Sequence, residues 1–165
     1  MDALRVHLLL NYYPAIGIIL GTIIFIGAIR FRSLPAQRFA LKLVFFFALL
    51  TLAVVLTGEI ASHAVEPYSP ARANAVASHK VIATATFVAV VATGIAALVA
   101  LIRGRRDPER GKGIYTIFII LAVLSSVLLV TTILRGRQIK WAVAIPGSSP
   151  AVLRSIDTEK KIWHA

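Results

Sequence analysis

The chain contains no cysteine. Disulfides, thiolate-held iron–sulfur clusters, cysteine-ligated zinc and covalent haem attachment through a Cys-x-x-Cys-His motif are therefore excluded. Charge is also scarce. Only 15% of the 165 residues are charged, against 58% hydrophobic, and a water-soluble domain of this length needs more polar surface. Acidic residues are the rarest charged group, with 7 Asp and Glu against 18 Lys and Arg. A glycine-rich phosphate loop, an HExxH helix and a supported Ser–His–Asp arrangement are also missing, so no catalytic motif is visible.

What is present is four long apolar runs. The first, Val6 to Ile29, carries no fixed charge and is long enough to cross a bilayer. Its start, Met1-Asp2-Ala3-Leu4-Arg5, is not a basic leader, and no small-residue cleavage site follows, so the run reads as a membrane span. His7, Asn11, Pro14, Gly17 and Gly21 recur every three or four residues, which predicts one inward helical face, polar at one end and small further along. Gly17-xxx-Gly21 suits close helix approach. The second run, Phe39 to Gly58, is interrupted by Lys42, which can snorkel to the interface, and Glu59 closes it. The helix should continue toward Val65, before Glu66-Pro67.

Ser69-Pro70 predicts an N-cap and first helical position ahead of the third span, Val81 to Ile102. His79, Ala83, Thr86, Val90 and Gly94 share a face there. The fourth span is Gly113 to Leu134, with Ser125 and Thr132 as interhelical hydrogen-bonding groups. Residues 1–141 are thus expected to form an all-α, integral membrane, four-helix up-and-down bundle. Residues 142–165 are expected to form a tail outside the membrane, with Ser149-Pro150 able to open a short interfacial helix.

The formal net charge is +11, and its placement decides its meaning. Arg30, Arg32, Arg38 and Lys42 cluster at the first connection, and Arg103, Arg105, Arg106, Arg110 and Lys112 at the third. In a multi-pass protein such clusters are topology signals facing anionic lipid, not a nucleic-acid surface. They put the first and third connections on the cytoplasmic side and both termini outside, although Arg135, Arg137 and Lys140 oppose that assignment.

This topology gathers His7, Asn11, Glu59, His63, His79, Arg135 and the Gln138–Trp141 stretch at the outer rim. Three chemistries are open there. His7 and His79 can ligate a b-type haem axially, with Arg135 or Lys140 near a propionate. With every histidine at one side, at most one haem fits. Alternatively, Glu59 and His63 at i,i+4 suit a transition metal, or Glu59 and His79 serve a quinol as proton partners. In the third reading the same groups only mark helix ends, and the chain is a purely structural subunit of a larger membrane complex or a homo-oligomer. A transporter component is disfavoured, because no polar path through the inner halves of the spans is evident.

His7-Leu-Leu-Leu-Asn11-Tyr12-Tyr13-Pro14, Thr57-Gly58-Glu59, His79 and Gly136-Arg-Gln-Ile-Lys140 together resemble a group of uncharacterised four-helix bacterial membrane proteins. The resemblance covers residues 7 to 141. It implies a bacterial cell (inner) membrane location and a polar signature of His7, Asn11, Glu59 and His79, without implying an activity. Tyr12, Lys80 and Trp141 stand where that pattern has His, an acidic residue and His, so fewer ligands remain in this chain.

Overall fold

A computed structural model describes residue 7 and residues 9–63, 70–106 and 111–143. The described chain is all-helical: α1 (Tyr12–Arg30), α2 (Leu34–His63), α3 (Pro70–Arg106) and α4 (Gly111–Val143). Each helix contains a stretch long and apolar enough to cross a membrane. Each touches its sequence neighbours, and α1 closes the ring against α4. Among the described residues the diagonal pairs, α1 with α3 and α2 with α4, do not meet. The result is the expected up-and-down bundle. The 37 residues of α3 extend about 55 Å, well past the roughly 30 Å hydrocarbon layer. α4 leaves its apolar stretch at Gly136 and stays helical to Val143. The tail expected from residue 142 lies outside the described residues after Val143.

Hydrocarbon gives helices no hydrophobic reason to associate, so fit and hydrogen bonds must hold them together. The α1–α2 contact depends on the predicted glycine pair. A Cβ at Gly17 would overlap the Phe47 ring, and one at Gly21 would meet Val44. Pro14, Gly17 and Gly21 are buried, whereas Ile16, Leu20 and Ile23 of α1 are exposed, as lipid-facing residues should be. At the end of the bundle where α1 passes into α2, Phe25 sets its ring edge-on to Tyr115 and Phe118 of α4, with centroids 5.4 and 4.9 Å away.

A three-residue turn joins α1 to α2. The Arg32 and Ser33 N–H groups donate to the Ile29 and Ala28 carbonyls, which satisfies the orphan end of α1 as a Schellman motif does. That motif needs a left-handed residue, and Arg32 supplies it at φ 54° despite its Cβ. Ser33 then caps α2 through its hydroxyl, and the Gln37 amide reaches back to the Ala28 carbonyl.

The α3–α4 seam is more polar. Thr86 and Thr132 share a hydrogen bond of 2.7 Å, and Thr93 and Ser125 share one of 2.8 Å. Ser125 and Thr132 therefore do bond between helices, as their spacing predicts. In each pair one hydroxyl donates to the other, and the second turns its hydrogen to a carbonyl of its own helix. We expect the Thr93→Val and Ser125→Ala changes to be non-additive. A double-mutant cycle of unfolding in mixed detergent should give a coupling of about 0.6 kcal/mol. Strict additivity would mean that the pair contributes nothing to the seam.

Candidate functional site

His7 sits one turn before α1, and the Asn11 N–H donates to its carbonyl at 3.0 Å, so the imidazole is carried on a hydrogen-bonded helical turn. Pro14 has no N–H to continue this bonding pattern to the Leu10 carbonyl, so the turn and α1 meet at a break in the ladder. The His7 ring crosses to α2. Its Nδ1 lies 3.0 Å from the Val54 carbonyl and 3.4 Å from the Thr57 hydroxyl. A carbonyl can only accept, so Nδ1 carries the hydrogen, and in the neutral ring Nε2 keeps its lone pair. The ring lies against Gly58, where a Cβ would come within 2.8 Å of Cε1.

His79 repeats this arrangement one hairpin later. It stands on α3, and its ring faces Gly136 of α4, where a Cβ would come within 3.3 Å of Cε1. Its Nδ1 is buried, with no hydrogen-bond partner among the described residues. Burying such a nitrogen unsatisfied costs about 1–3 kcal/mol, a cost that a ligand or a donor can remove. His7, one turn before α1, and His79, on α3, each lie against a glycine of the helix that follows, and these two glycines stand on the diagonal helices α2 and α4.

The remaining rim residues are placed differently. Glu59 is exposed and ion-paired with Lys80 of α3 at 3.4 Å, linking α2 to α3 on the outside of the bundle. Asn11 makes no side-chain cap for α1 and is half-buried. Arg135 is exposed, one residue before the glycine that faces His79. His63 closes α2, but its side chain and those of Gln138, Lys140 and Trp141 lie outside those described. Among the described residues no group of three or more metal-binding side chains is present.

Two residues of this site carry no chemistry of their own and escape a search for ligands. Gly58 and Gly136 stand within the motifs of the resemblance, but there they read only as small residues at the ends of returning spans, the kind that lets another group approach closely. Comparison with protein-family models, with curated proteins and with solved structures found no match to this chain.

Proposed function

We propose that this chain is a small multi-pass protein of the bacterial inner membrane that holds one b-type haem at its outer rim, between His7 and His79. The observation that carries the reading is the repeated seating of an imidazole against a glycine on two diagonal helices. Its donor set favours haem over a bare metal. Zinc, copper or iron(II) held by protein alone wants three or four ligands, whereas haem iron comes with four nitrogens of its own and would need only the two that His7 and His79 could supply. His7 is prepared for this role, because a backbone carbonyl holds its Nδ1–H and leaves Nε2 to ligate. His79 differs in this respect, because its buried Nδ1 meets no hydrogen-bond partner among the described residues, so it would ligate through Nε2 without the support that His7 has. Gly58 and Gly136 would seat the rings, and Arg135 would face a propionate. When bound, the haem would supply one-electron transfer, which makes the chain an electron-transport accessory. The quinone alternative would need Glu59 as its base, and Glu59 is already engaged by Lys80 on the exposed side.

The direct test is a dithionite-reduced minus oxidised visible spectrum of the detergent-purified protein, expressed with ample haem. A sharp α-band should appear in the wild type and vanish in both His7→Ala and His79→Ala. A featureless spectrum from folded protein that arrives with partner subunits would overturn the haem reading in favour of a structural role in a larger complex.

Orientation is tested separately, in a chain free of native thiols. With a membrane-impermeant maleimide on intact cells, Ser69→Cys and Ser148→Cys should label. Phe31→Cys should label only after permeabilisation. The opposite pattern would put the histidine rim on the cytoplasmic side.

A further inference from the structure

The far end of the bundle carries a second polar feature, unrelated to the histidines. A cleft too narrow to admit more than a water opens there between α2, α3 and α4, with Leu34, Leu41 and Leu101 among its walls and Arg38, Tyr115 and Gln37, whose amide is held by the Ala28 carbonyl, as polar groups. Gly104 shapes it. A Cβ at that position would come within 2.6 Å of the Tyr115 hydroxyl, so the glycine leaves that oxygen in place at the α3 surface.

Arg38 is exposed, and no ion pair to it is found among the described residues. Arg30, Arg32, Lys42 and Arg103 crowd the same end and are also exposed. The one described carboxylate, Glu59, is at the opposite end of α2, while Asp107 and Glu109 fall in the connection outside the described residues. A guanidinium and a phenol at the mouth of a leucine-walled cleft, in a strongly cationic field at the membrane surface, match an amphiphile with an anionic head.

We propose that the rim of this cleft, at Arg38 and Tyr115, binds the phosphodiester of an anionic phospholipid. Arg38 makes charged hydrogen bonds to the phosphate, the Tyr115 hydroxyl donates a further one, and the acyl chains stay in the bilayer beside Leu34 and Leu101. Guanidinium suits this task because its planar fork matches phosphate oxygens. Interfacial basic pockets between membrane helices recognise anionic lipid heads by the same chemistry.

The experiment is native mass spectrometry of the full chain released from detergent, with phosphatidylglycerol and phosphatidylcholine of identical acyl chains as competing probes. The wild type should retain the anionic lipid about fivefold more, the worth of one cation beside anionic lipid. Arg38→Gln should bring the ratio near parity. Tyr115→Phe, which keeps the ring against Phe25, should lower it in part, and Arg30→Gln should leave it unchanged. Three results would overturn the proposal. The wild type could show no preference. Arg30→Gln could lose as much as Arg38→Gln, which would mean diffuse surface charge. Inorganic phosphate could displace the lipid at equal concentration, which would mean a site for free anions.

Discussion

A side chain at Gly17 would occupy the space of the Phe47 ring, and one at Gly21 would meet Val44. The rest of the bundle depends on this close approach of α1 to α2. In lipid, two helices separated by an extra methyl group lose the dispersion contact that holds them, and water-driven burial does not replace it. With α1 drawn against α2, the turn before α1 can deliver His7 to the Val54 carbonyl. The two hydroxyl pairs do the corresponding work between α3 and α4, whose shared face carries His79 to Gly136. The site is a product of two helix contacts and needs no loop of its own.

The spans, their order and their inward faces were legible in the sequence, because an apolar run of membrane length and a stripe of small residues leave few alternatives. Pro14, Gly17 and Gly21 are buried as a stripe, as their spacing implied, and the third helix opens at Pro70, ahead of its span. Ser125 and Thr132 were readable as interhelical donors, but their partners were not. Thr93 looks like any threonine in an apolar helix until α4 is set beside it.

The rim was legible as a level and less so as an arrangement. Glu59 lies at the height of the histidines, and height says nothing about the side of a helix. Its carboxylate is directed outward to Lys80. The seats of the two imidazoles were hidden for the opposite reason. Gly58 and Gly136 matter through the atoms they lack, and a reading built on donors and ligands passes over them. The cleft at the other end was equally hidden, since Arg38, Gly104 and Tyr115 lie far apart in the chain.

The short turn at Arg32 and Ser33 has a consequence at the other side of the membrane. His7 lies nearly as many residues before that turn as Gly58 lies after it, and Asp107-Pro108 falls in the same way midway between His79 and Gly136. Each hairpin therefore has arms of equal length, and its free tips meet because it is folded in the middle. One residue inserted into either arm would lift its tip by about 1.5 Å and rotate it by about 100°. The imidazole would then leave its glycine without any atom of the rim being changed. Spacing between the rim and the distant bend is thus as much a part of the site as the rings are, and the spans can exchange one apolar residue for another far more freely than they can change length.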